Sequence, residues 1–184
     1  MAIEDRRERE RAARRSLIVA TARKLAESEG WDAVTTRRLS TEIEYSQPVL
    51  YKHFAGMEQI ADAVALDGFG ELADALHAAK SGDGDALGRV AHAYLDFARD
   101  HPAVYDAMFL RSTTLNFATD DTPSQLNAAF ATLKDAVGGH DADTNTEVFW
   151  AALHGLVILT RTGRLRPDQQ SARLHLLVDR FDRA

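Results

Sequence analysis

Pro48 constrains this chain more than any other residue. It sits inside "YSQPVLYKHF", residues 45–54, where Leu50 and Phe54 fall four apart at helical spacing. A proline deep in a helix removes a hydrogen bond and clashes with the preceding turn, so it is tolerated only in the first turn. Ser46 stands just ahead of it as a capping residue, which fixes where this helix starts. Directly upstream, "TTRRLSTEI", residues 35–43, opens on threonines able to cap a helix and places Leu39 and Ile43 four apart. Two short helices joined by a tight turn follow. Each has one apolar pair to bury against a longer neighbour, which is the arrangement of a helix-turn-helix.

Helical punctuation recurs along the rest of the chain, and no alternating strand pattern stands out. The spacing predicts a first helix over about 5–29, ending at Gly30, with Leu17, Ile18, Ala22, Leu25 and Ala26 on its buried face. A long helix is expected from Met57 to Lys80, burying Ile60, Val64, Leu72 and Leu76 and free to bend at Gly68 and Gly70. Beyond the loop "SGDGD", helices are expected near 86–100, 102–112, 123–137, 144–163 and 167–182, with Pro102 and Pro123 in first turns. The expected fold is all-α: a helix-turn-helix domain over 1–58 and a second helical domain over 59–184.

Composition removes several classes of function. No apolar run reaches the roughly 18 residues that span a bilayer, so no membrane partner is expected. The N-terminus, "MAIEDRRERERAARR", lacks the apolar stretch of a secretory signal, and the expected compartment is the cytoplasm. Cysteine is absent, which excludes disulfides and thiolate metal sites. No H-x-x-x-H pair, paired-carboxylate motif, nucleophile elbow or phosphate-cradling glycine loop occurs, so neither enzyme, cofactor nor metal site is expected. The "GDGD" run at 82–85 is too short for a calcium loop and lacks its closing glutamate.

Charge is divided unevenly. Residues 1–60 carry 11 of the 22 basic and 10 of the 28 acidic side chains, a balance of +1, which leaves −7 for the remainder. The first part can approach a polyanion, and the second would not seek one. Gln47, Pro48, Val49, Tyr51, Lys52 and His53 lie on the outer face of the second short helix. Glutamine can bond an adenine edge, proline and valine can pack on thymine methyls, and tyrosine and lysine can hold phosphates. Arg37 can reach a guanine or a phosphate, and the Thr35 and Thr36 hydroxyls suit phosphate oxygens. The arginines of "EDRRERERAARR" interleave with acids and are expected to form a solvated first turn rather than a DNA arm.

Residues 30–64, "GWDAVTTRRLSTEIEYSQPVLYKHFAGMEQIADAV", resemble the DNA-binding segment of TetR-type transcriptional regulators, and Leu17 to Gly30 resembles the helix that precedes it. The resemblance implies DNA contacts by Thr35, Thr36, Arg37, Gln47, Pro48, Val49, Tyr51 and His53, and a homodimer on a near-palindromic double-stranded operator. Three residues depart from the family pattern. Glu44 replaces a turn glycine and must strain its backbone, Tyr45 replaces a smaller apolar residue, and Met57 stands in place of a phosphate-binding lysine, for which Lys52 is the substitute.

"DHPAVYDAMF" and "FWAALHGLVILTRTGRLRP" resemble the ligand-binding domain of a TetR subgroup marked by Trp and then His-Gly. The expected function is a repressor released from its operator by an unidentified small-molecule effector. An apolar pocket is expected among Phe69, Phe97, Tyr105, Met108, Phe109, Phe130, Trp150 and His154. The dimer is expected to pair Leu153, Leu156, Val157 and Leu159 with Leu174, Leu176, Leu177, Val178 and Phe181 in a four-helix interface; alternatively these residues close the monomer's own core. Two other functions are weighed: a ligand-independent architectural DNA binder, which the acidic second part disfavours, and a metal-responsive regulator.

Overall fold

The structure, a computed structural model, describes residues 2–182; Met1, Arg183 and Ala184, at the outer ends of the two expected domains, lie outside the described residues. Among the described residues there are nine α-helices and no strand. They are α1 Ala2–Glu29, α2 Thr36–Glu42, α3 Gln47–Tyr51, α4 Met57–Lys80, α5 Ala86–Asp100, α6 Pro102–Phe109, α7 Ser124–Val137, α8 Ala142–Arg161 and α9 Gln170–Phe181. No described helix is long and apolar enough to cross a membrane.

The chain divides into two compact units. The first is Met1–Gly68 with His101–Asn116, and the second is Phe69–Asp100 with Phe117–Ala184. Helix α6 therefore belongs to the unit that contains α2 and α3, and the chain passes between units at three points: within α4, and at both ends of the α6 segment.

In the first unit α1 packs its Ile18, Val19, Ala22, Leu25 and Ala26 inward. Leu17, expected on that face, is instead 43% exposed, and Val19 takes the place that periodicity had given it. The pairs Leu39/Ile43 and Leu50/Phe54 are buried as the spacing predicts. Ile60 and Val64 of α4 are buried too, as are Leu72 and Leu76 beyond the boundary.

Helix α4 runs unbroken through Gly68 and Gly70. At Gly68 the missing side chain has a packing reason: a Cβ would lie 2.4 Å from Val104 Cγ1 and 2.8 Å from Met108 Sδ, both on α6. The glycine lets α6 come close to α4.

In the second unit α5, α7, α8 and α9 pack on one another. Leu87, Val90, Ala91, Tyr94, Leu126, Leu133 and Phe149 are buried. Arg89 fastens the loop before α5, its guanidinium donating to the carbonyls of Ala79, Lys80, Gly82 and Asp83. Asp85 Oδ1 caps that helix by accepting from Gly88 N–H at 2.8 Å.

Four of the residues expected at a dimer interface, Leu153, Val157, Leu174 and Val178, are buried within the chain. They face the unit's own core because α8 and α9 each need an inward stripe to pack on α5. Leu159 and Leu176 are exposed, and Leu156, Leu177 and Phe181 are half-buried.

Gly68→Ala should destabilise the chain by about 1–3 kcal/mol, since its methyl group overpacks the α4–α6 contact. Thermal unfolding should register a loss of roughly 2–4 °C per kcal/mol. An unchanged or raised Tm would mean that α6 yields at no cost.

Candidate DNA-binding site

Thr35 caps α2, its hydroxyl oxygen accepting from Arg38 N–H at 3.1 Å. The hydroxyl proton stays available to an outside acceptor, and Thr35 is exposed. Arg37 is exposed as well, whereas the neighbouring Arg38 is held by Glu29 at 3.1 Å and Glu42 at 3.0 Å. Of the two adjacent arginines, Arg37 is the one left to reach outward.

The turn into α3 carries the strain that its sequence predicts. Glu44 has a φ of 56°, the left-handed region that favours glycine. Ser46 occupies the N-cap with extended backbone, but its side chain makes no capping bond; its carbonyl accepts from Val49 N–H at 2.9 Å instead. Pro48 falls in the first turn. Helix α3 ends at Tyr51 rather than at Phe54, and the chain coils on so that Phe54 N–H still reaches Leu50 O at 3.0 Å.

The outer face of α3 presents Gln47 and Pro48, both exposed, with Val49 half-buried beside them. Tyr51 is 53% exposed although its aromatic ring would favour burial, and Lys52 is exposed next to it. Thr36 and His53 are half-buried. Burial first, and then the nearby charges of Arg11, Arg14, Arg15 and Lys52, hold the His53 imidazole below the ordinary histidine range.

Of these, Arg15 makes contacts that the sequence did not announce. Arg15 Nη1 donates to His53 O at 3.0 Å, and its guanidinium lies 4.1 Å from the Phe54 ring centroid. What the sequence does show, in "RAARR", is that residues 11, 14 and 15 share one helical face. Met57, half-buried, opens α4, whose first turn is closed by Gln59 Oε1 accepting from Ala55 N–H at 2.9 Å.

Helix α6 is built into this unit by polar contacts. Its N-cap residue, His101, offers no capping bond. Glu27 of α1 does so from outside: its two carboxylate oxygens accept from Ala103 and Val104 N–H, each at 3.1 Å. Trp31 Nε1 donates to Ala103 O at 2.8 Å. After α6, the buried Asp62 carboxylate accepts from Thr113 Oγ1 at 2.6 Å and from the backbone and hydroxyl of Thr114.

The residues expected to line an effector pocket are divided. Tyr105, Met108 and Phe109 ride on α6 in the first unit, while Phe69, Phe97, Phe130, Trp150 and His154 belong to the second. There Trp150 Nε1 donates to the hydroxyl of Tyr94 at 3.0 Å, a fully buried residue that the sequence reading passed over. His154 is half-buried one turn along α8, and desolvation lowers its pKa below the usual range.

Two short helices braced on a longer one, with a polar exposed face on the second, define a helix-turn-helix DNA-binding protein. Comparison with known proteins narrows the class. Residues 18–64 match the family model for bacterial regulatory proteins of the tetR family, and residues 87–181 match the tetracyclin repressor-like C-terminal domain. The uncharacterised HTH-type transcriptional regulator Rv0681 of Mycobacterium tuberculosis is 32% identical over 158 residues, 81% of this chain and 71% of that protein. The uncharacterised HTH-type regulator YobS of Bacillus subtilis is 35% identical over 99 residues, 52% of this chain and 51% of that protein. A solved structure of a protein of unknown function from Rhodococcus sp. RHA1 superposes with a TM-score of 0.72 at 26% identity, covering 92% of this chain and 93% of its own. The chain belongs to the TetR family of transcriptional regulators, a family of DNA-binding proteins and not of enzymes.

Replacing Glu44 by glycine should stabilise the protein. The left-handed conformation costs a residue with a side chain about 1–2 kcal/mol, and glycine's greater freedom in the unfolded chain takes back about half of that. A Tm gain of roughly 1–4 °C is expected by calorimetry. A fall would show that the exposed Glu44 side chain makes a stabilising contact.

Proposed function

We propose that this regulator is a repressor that binds a near-palindromic operator as a homodimer and leaves it when a small, mainly apolar molecule binds the second unit. Thr35, Thr36, Arg37, Gln47, Pro48, Val49, Tyr51, Lys52 and His53 are the proposed DNA contacts. Gln47 and its neighbours read base edges, and Tyr51, Lys52 and the threonines fix the register on phosphates. Lys52 takes the part that Met57 cannot.

The observation that carries the release mechanism is the hydrogen bonding of residues 101–116 into the DNA-binding unit, by Glu27 at the start of α6 and by Asp62 at Thr113 and Thr114 beyond its end. The chain on either side of His101–Asn116 belongs to the second unit, and α4 continues from one unit into the other. A shift of either helix in response to a ligand therefore reaches α1 and the helix that follows α3, with Gly68 and Gly70 as the hinge region. Phe69, Phe97, Phe130, Trp150 and His154, joined by Tyr94, are the proposed ligand-facing set, and the Trp150, His154-Gly155 pattern supports assignment to the Trp-His-Gly subgroup. For the dimer, the half-buried Leu156, Leu177 and Phe181 and the exposed Leu159 and Leu176 leave an apolar surface on α8 and α9 for a second copy.

Gel-shift titration on a duplex recovered from a randomised pool tests this reading. Gln47→Ala should cost about 1–3 kcal/mol at its cognate base pair and relax specificity there, whereas Tyr51→Phe should weaken all duplexes nearly alike. A small molecule that raises the Tm of the chain should lower operator affinity about 5–150-fold, the operator weakening that ligand equally. Absence of any sequence preference in the wild type would refute the DNA-reading assignment, and a tight ligand without effect on affinity would refute release.

A further inference from the structure

Every described side chain of α1 from Glu4 to Leu17 is exposed, and the helix enters the core only at Ile18. Its outer half buries no side chain, and Arg15 is the residue of it that touches the rest of the unit. The direction of its charges is not random. With 3.6 residues per turn, Arg7, Arg11, Arg14 and Arg15 continue the same stripe that Ile18, Ala22 and Leu25 bury further along. What is an apolar face inside the unit becomes a basic face outside it.

Arg15 fixes where that face lies. Its bond to His53 O and its stacking on Phe54 place the stripe beside the C-terminal end of α3, where Tyr51 and Lys52 are exposed. Arg14 is its sequence neighbour and Arg11 lies one turn outward. Both are exposed, and neither has an ion-pair partner among the described residues. The acids of this segment fall elsewhere or further out: Glu10 pairs with Arg6 at 2.9 Å, and Glu4 and Glu8 flank the outer turns near Arg7. The inner turns carry the net positive charge. That Arg11, Arg14, Arg15 and Lys52 all act on His53 is an independent sign that they share one patch.

We propose that Arg11 and Arg14 form a backbone-binding track for duplex DNA, each taking one phosphate next to the segment read by α3, with Arg15 as the residue that positions the track. The proposal rests on the DNA-reading assignment above and adds contacts that α2 and α3 do not make. Guanidinium groups suit phosphate because their paired donors match two of its oxygens. Such contacts raise affinity without reading sequence.

The test measures dissociation constants by fluorescence anisotropy across a salt series. The probes are the duplex recovered from a randomised pool and an unrelated duplex of equal length. Each phosphate contact contributes about 0.9 to the slope of log K against log salt. Arg11→Ala/Arg14→Ala should therefore lose roughly 1.8 from that slope and weaken both duplexes by the same factor. Arg11→Lys/Arg14→Lys should keep the slope, because the charges remain. Arg9→Ala, which removes a charge from the opposite side of α1, should leave it unchanged. Circular dichroism and Tm would establish that the variants are folded. An unaltered slope in the double alanine variant, with specific binding intact, overturns the track and leaves the DNA-reading assignment standing. An equal loss of slope for Arg9→Ala overturns it too, since a diffuse field and not two contacts would then be at work. A wild-type protein that selects no duplex removes the assignment itself.

Discussion

The Glu27 carboxylate, bonded to the first two free N–H groups of α6, is the contact on which the arrangement of this protein depends. Helix α6 starts at a proline and has no cap of its own, so its orphan donors must find an acceptor elsewhere. A charged acceptor at a helix N-terminus is favoured both by hydrogen bonding and by the helix dipole, and bonds of this charge-assisted kind are worth about 1.5–3 kcal/mol. Taking that acceptor from α1 makes α6 part of the DNA-binding unit. The close approach at Gly68 and the Asp62 carboxylate beyond the helix then hold it there from α4. Without Glu27, the N-terminal amides of α6 would lose their acceptor, and the segment would still be held by Trp31 at Ala103 and by Asp62 at Thr113 and Thr114.

The reading helix needs support of its own, which comes from α1 and α2. Helix α3 is only five residues long and depends on tertiary support for its position. Leu50 and Phe54 supply the apolar part, and Arg15 the polar part, by pinning the His53 carbonyl. The strained backbone at Glu44 is the cost of turning the chain between α2 and α3 in so few residues. Burial of Leu50 and Phe54 together with the Arg15 contact over-determines the neighbouring backbone, which is how strain persists near functional sites.

Much of this was legible in the residues. Pro48, Pro102 and Gly30 mark helix ends by backbone chemistry that no tertiary contact can override, and the bounds of α4 follow from its apolar stripe. The strain at Glu44 was legible only through the family resemblance, which sets a glycine at that turn position. Periodicity was less reliable where two neighbouring apolar residues compete for one face, and Leu17 yielded to Val19. It also could not say which partner a stripe packs against, so Leu153, Val157, Leu174 and Val178 read equally well as interface or core. The membership of α6 was hidden for a further reason. It rests on distant partners such as Glu27, 76 residues away from Ala103 along the chain, and a glutamate on a helix surface carries no local mark of the bond it will make.

The most direct measurement is amide hydrogen exchange at Ala103 and Val104, the two groups bonded to Glu27, with and without a duplex recovered from a randomised pool. If α6 is mechanically part of the DNA-reading unit, binding DNA should slow exchange at both amides together with those of α2 and α3, because any ligand that favours the docked state stabilises it. Slower exchange confined to α2 and α3, with Ala103 and Val104 unchanged, would contradict the account.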